Sequence, residues 1–297
     1  MTDSNVTLLF LAASVICSTA RAVCSKRIGA SASDRRSFLM MQARLFLIAA
    51  VFICILNIPR MNPAHRMSAG TVILGTVYGI LTVFAQGFYT AALRKMQVSV
   101  CTMIYSFGFV IPTVFGTLLW HERVGGLQMV SVVLCALTIV LASAKKDEAK
   151  RNAHGAMLPL IASMLASGGL GIVQKLQQRS AAQTGDFLFV AFALAALISL
   201  GAALITERTA SPASSDCKAL RRHWADILIV GAALAAANTA NTLLAGRLPS
   251  VIAFPATNVG VIIMSLLVSV CFLKERLTRR QYAAIGTGLA AVLLFGL

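Results

Sequence analysis

Gln86, Tyr89 and Thr90 stand at i, i+3 and i+4 inside an apolar stretch. A helix there presents an amide, a phenol and a hydroxyl on one face. Asn238, Asn241 and Thr242 repeat the spacing in the second half of the chain, Tyr105 and Asn258 stand in two further apolar stretches, and Arg21 follows a long apolar run near the start. These groups donate and accept hydrogen bonds. None is a nucleophile with a base beside it, and no C-x-x-C or acidic cluster offers a metal site. The chemistry they suit is recognition of a small-molecule substrate by Arg21, Gln86, Tyr89, Tyr105, Asn238, Asn241 and Asn258, with no catalytic residue, no metal and no cofactor.

The elements that must position them lie in a bilayer. The chain is 58% hydrophobic and 12% charged, against about 25% charged residues in soluble domains. Ten apolar runs approach the length of about 20 residues that a spanning helix needs: roughly 5–25, 38–57, 69–92, 98–119, 125–144, 155–174, 187–206, 224–245, 251–272 and 280–297. An all-α integral membrane protein of ten transmembrane helices follows, with the lipid bilayer as its surroundings. The first run has Asp3 and no Lys or Arg ahead of it, which favours a first spanning helix over a cleaved signal. Six of the seven cysteines fall inside the runs and read as small apolar filler. The net charge of +16 does not indicate nucleic acid, because the cations sit in short loops where membrane topology explains them. Loops after runs 1, 3, 5, 7 and 9 carry most of the Lys and Arg. The positive-inside rule then puts those loops in the cytoplasm and both termini outside.

The chain is also internally repeated. Glu122, Arg123 and Gln128 recur as Glu275, Arg276 and Gln281, an offset of 153 residues, and Arg94 and Tyr105 have Arg247 and Asn258 as mates at that offset. The first helices align better at 149, pairing Ser14 with Ser163 and Lys26 with Lys175. Residues 1–147 and 148–297 are thus two units of five helices. An odd number of helices forces the second unit to enter the membrane upside down. The charges agree: loops after the first and third helices hold six cations in copy one against three after the second and fourth, and three against eight in copy two. Inverted repeats require that reversal.

These features resemble the EamA-type members of the drug/metabolite transporter superfamily, whose units end in a Pro…Gly-Glu…Gln…Gly pattern. Copy one supplies Pro112, Glu122 and Gln128; copy two supplies Glu275, Gln281 and Gly286. Two departures stand out. The Gly expected before each Glu is His121 or Lys274, and Ser265 replaces the second proline, so helices 4 and 9 are expected to bend differently. The resemblance implies two inverted five-helix repeats, helices 3, 4, 8 and 9 meeting at the pseudo-twofold axis, and a secondary transporter in which one bundle rocks against the other. It implies export of a metabolite such as an amino acid, from a bacterial inner membrane.

Each polar residue has a plainer reading beside the functional one. Asn, Thr and Ser join membrane helices for about 0.6 kcal/mol each, which accounts for any single residue as well as ligand contact does. Their clustering on repeat-related helices favours a substrate path. Arg21 either faces that path or snorkels to the interface. Glu122 and Glu275 sit at tight turns and are expected to tie off the N-terminus of the next helix. The glycines Gly168, Gly169 and Gly171, with Gly286 and Gly288, read as close-packing positions. All ten acids fall in loops or at span ends, leaving a cationic substrate without a counter-charge. A zwitterion, an anion or a neutral solute fits better. A membrane-embedded enzyme would need the acid or Ser/His pairs that are missing from the apolar runs. A non-transporting membrane subunit is opposed only by the short loops.

Overall fold

The computed structural model describes residues 3–29, 35–57, 67–93, 104–122, 125–142, 154–180, 183–206, 224–273 and 279–295. Copy one forms α1 (Asp3–Gly29), α2 (Arg35–Asn57), α3 (Ala69–Leu93), α4 (Val110–Leu119, entered through a 3₁₀ turn at Phe107–Phe109) and α5 (Gly126–Ala142). Copy two forms α6 (His154–Arg179), α7 (Thr184–Ile205), α8 (Trp224–Arg247), α9 (Ser250–Leu273) and α10 (Arg279–Phe295). Helices follow from the apolar runs because hydrocarbon offers no partner to backbone N–H and C=O groups, which must then pair within each segment. Among the described residues, six helices are long and apolar enough to span a bilayer; Asn5–Arg21, Ile104–Leu119 and Gly126–Leu141 are shorter apolar helices. Large side chains such as Leu118, Leu158, Ile205 and Leu293 point outward, as lipid-facing positions should.

Packing runs mainly between the copies. Helix α1 lies along α8, α3 along α6, α2 along α7 and α5 along α10, while α9 crosses α1, α4 and α5. Exchanging each helix for its repeat mate turns α1–α8 into α6–α3, α3–α7 into α8–α2 and α1–α9 into α6–α4, all of which are packed pairs. The pseudo-twofold expected of an inverted duplication is therefore present in the packing. Most of each helix's packing is against the other copy, so the two copies interdigitate in this arrangement and do not stand as two separate five-helix bundles. Helices 3, 4, 8 and 9 do touch one another: α9 packs on α4 and on α8, Tyr78 of α3 reaches Asn238 of α8, and Tyr89 of α3 meets Tyr105 just ahead of α4, while the broad face of α3 lies on α6 and α7.

Small residues allow the close approach. A Cβ on Gly75 or Gly79 of α3 would stand 2.9 Å from Phe187 O or 2.6 Å from Ala191 O of α7. Gly168 and Gly171 seat the start of α4: a Cβ there would meet Ile111 at 2.4 Å and the Pro112 ring at 2.8 Å. Gly288 likewise admits Ile263, whereas Gly286 faces open space. Pro112 has no N–H to give the Gly108 carbonyl, and the 3₁₀ turn lies immediately upstream. Around the equivalent Ser265, α9 is continuous α-helix, so helices 4 and 9 do differ as the missing proline suggests.

Candidate functional site

Polar side chains from both copies converge between α3, α6 and α8. The Tyr78 hydroxyl donates to Asn238 Oδ1 at 2.6 Å and accepts from Gln174 Nε2 at 3.0 Å. Asn238 Nδ2 donates to Leu234 O within its own helix at 2.8 Å, which fixes the amide with its oxygen toward Tyr78. The Tyr78 ring is buried and meets Phe187 edge-on at 5.1 Å. Arg21 of α1 and Tyr105 both interact electrostatically with the Tyr78 hydroxyl. Arg21 is half-buried. Just under one turn along α8 from Asn238, Asn241 accepts a hydrogen bond from Ser14 of α1.

The remaining expected residues spread around this centre. The Tyr89 and Tyr105 rings meet at a tilt of 54° with centroids 5.0 Å apart, and Tyr89 packs against Ala92 and Leu160. Gln86 is half-buried on the Tyr89 face of α3. Asn258 donates to Phe254 O in its own helix at 2.9 Å, and no described hydrogen bond joins it to Tyr105. Three residues of the cluster were not among those expected. Tyr78 lies two turns before Gln86 on the same stripe, so extending the period by i−4 and i−8 reaches it. Gln174 is hidden in the polar run that reads as the end of helix 6, and Ser14 stood out only as the repeat mate of Ser163.

At one end of the bundle lies a second polar cluster of different character. Lys175 does not end its helix: α6 continues to Arg179. Lys175 Nζ is 3.0 Å from Glu122 Oε1, with both side chains about nine-tenths buried. The ammonium also donates to Leu248 O at 2.8 Å, just past the C-terminus of α8. Ser250 N, at the first residue of α9, donates to Glu122 Oε2 at 2.6 Å. The expectation that Glu122 caps the next helix is thus corrected: it caps α9, from the other copy, where the positive helix end favours an anion. The cap on α5 is Gln128, whose Oε1 accepts from Gly125 N at 3.0 Å, the return bond of a capping box. Glu275 and Lys26 lie outside the residues whose side chains are described.

The profile of the EamA-like transporter family matches residues 5–144 and, a second time, residues 154–297. The chain belongs to the EamA-like transporter family. A solved crystal structure shares the fold, with a TM-score of 0.77 over 98% of this chain and 96% of the other at 14% identity. No curated protein matches the sequence.

Membership gives the two clusters a context. It makes the protein an integral membrane transporter built of two EamA repeats, which implies a small-molecule substrate. It also explains a departure of this chain from the EamA pattern. His121 stands where the family favours Gly, and its φ is +49°, in the left-handed region that costs a side chain about 1–2 kcal/mol. Glycine meets that turn freely; histidine is strained there, held by the tight chain reversal that brings Glu122 N to Gly116 O at 3.1 Å.

Proposed function

We propose that this EamA-like protein is a secondary transporter that exports a small metabolite, an amino acid or another zwitterionic, anionic or neutral solute, across a bacterial inner membrane by alternating access. One observation carries the reading: Arg21, Tyr78, Gln174 and Asn238, from four helices of both copies, come together inside an apolar bundle. Inverted-repeat transporters bind substrate at the repeat interface near the midplane. The cluster supplies a guanidinium for a carboxylate and neutral donors and acceptors for an amine or hydroxyl. The described acids Asp3, Glu122, Asp186 and Asp226 stand at helix ends, so the cluster's formal charge is that of Arg21. Asn241, Gln86, Tyr89 and Tyr105 extend the path, and Asn258 is its outlying member. The two units meet near residue 147. Because packing crosses between copies, the moving bodies are mixed groups of helices.

Flux into proteoliposomes tests this reading. Saturable movement of a neutral or anionic amino acid is expected, reduced at least tenfold by Arg21→Ala and less by Arg21→Lys. Normal transport of an anionic solute by both variants, or thermal stabilisation of the purified protein by lipophilic cations alone, would show the charge argument to be wrong.

A further inference from the structure

We propose that Glu122 and Lys175 form a latch that seals the end of the transport path bearing the α4–α5 and α8–α9 turns, and that this latch parts in every cycle. The inference rests on the transport reading above. The pair joins four elements: the turn after α4, the body of α6, the end of α8 and the start of α9. Each charge is matched twice, once by its partner and once by a helix terminus of opposite partial charge. Arg179 over Trp120, at 5.0 Å, and Arg247 over Phe10, at 5.4 Å, draw the same end together. Gln174, which bonds Tyr78 in the central cluster, immediately precedes Lys175. A shift of α6 at the substrate cluster is therefore transmitted to the latch within one residue.

The chemistry suits a contact that must open. In the closed, dry end the two charges attract strongly because the local dielectric is low. When the end opens, water reaches both ions and restores the hydration lost on burial. An apolar seal gains nothing comparable on wetting. Opening across the Glu122–Ser250 and Glu122–Lys175 contacts separates copy one from copy two at this end, while the Lys175–Leu248 contact lies within copy two.

Ser14 is fully buried, beneath this end, and bonded to Asn241. Cysteine placed there by Ser14→Cys reports opening through its rate of reaction with a membrane-impermeant maleimide, with the parent chain giving the background from native cysteines. Glu122→Gln, which keeps the shape and loses the charge, should raise labelling at least tenfold from the face carrying the α4–α5 turn and leave the other face unchanged. Gly116→Ala should do the same without touching a charge, because its Cβ would lie 2.7 Å from Glu122 Oε2 and 2.8 Å from Ser250 Cβ. Exchanging the charges with Glu122→Lys and Lys175→Glu should not restore protection, since each group would then face the wrong helix end. Unchanged labelling of the folded fraction of Glu122→Gln and Gly116→Ala, a rise from the opposite face only, or restored protection in the exchanged pair overturns the latch. Labelling needs no solute, so a chain that labels as expected yet carries nothing sinks the transport reading and leaves the latch standing.

Discussion

The two polar clusters of this bundle hold themselves together by different means. Around Tyr78 the groups are neutral amides and a phenol, with Arg21 half-buried beside them. Around Glu122 the groups are full charges, nine-tenths buried, each set against a helix terminus. Neutral hydrogen bonds between membrane helices are worth about 0.6 kcal/mol each, whereas removing one member of a buried ion pair costs about 3–5 kcal/mol. The end of the bundle is thus the joint more sensitive to loss of one partner, because a buried charge is left uncompensated, and the centre the less sensitive one. That contrast suits a transporter: its recognition groups must exchange partners with a solute, and its closure must hold until they do.

Measurements can break this contrast at several depths. The largest effect is expected at the ion pair. Glu122→Ala or Lys175→Ala should each lower unfolding stability in detergent by about 3–5 kcal/mol, while removing both should cost less than the two losses added together. A loss under about 1 kcal/mol for either single change would place the pair in water instead. At the centre, Tyr78→Phe should lower stability by no more than about 1.7 kcal/mol. Its solute affinity should nevertheless fall about tenfold, equivalent to about 1.4 kcal/mol; a stability loss with unaltered affinity would make Tyr78 helix glue. Gln128→Ala removes the return bond of the α5 cap and should cost about 1 kcal/mol. The smallest change is His121→Gly, which relieves the positive φ and should stabilise the fold by about 1 kcal/mol or less, the gain trimmed by glycine's greater freedom when unfolded. Destabilisation there would mean that the His121 side chain contributes more than its backbone strain.

Much of the fold is legible in the residues. The apolar runs locate most of α1 to α10 to within a few residues, with two instructive exceptions: α4 is regular α-helix only from Val110, after its 3₁₀ turn, and α6 runs past Lys175, where that side chain finds Glu122 and Leu248 and Arg179 finds Trp120. The candidate site is only partly legible. Asn238 and Asn241 are found because amides are conspicuous in an apolar helix. Tyr78 is missed although it shares the Gln86 stripe, and Gln174 is missed because a polar run looks like the end of a span. The Tyr105–Asn258 correspondence in sequence does not become a described hydrogen bond: the Tyr105 ring lies tilted against Tyr89, and Asn258 bonds its own helix. Repeat mates occupy equivalent places about an axis, and equivalence is not proximity.

What the sequence determined alone is the membrane setting, the duplication and the family, with the loop charges pointing to inversion. Those properties reside in local quantities: apolar length, helical period and the charges of short loops. What the tertiary structure decided is partnership. Glu122 reads in sequence as a cap for the helix that follows it, yet it caps a helix that begins 128 residues later. Lys175 reads as a loop cation, yet it is buried against that same carboxylate. Such pairings depend on how the two copies interdigitate, and a helix terminus attracts whichever charge the packing brings to it, regardless of distance along the chain.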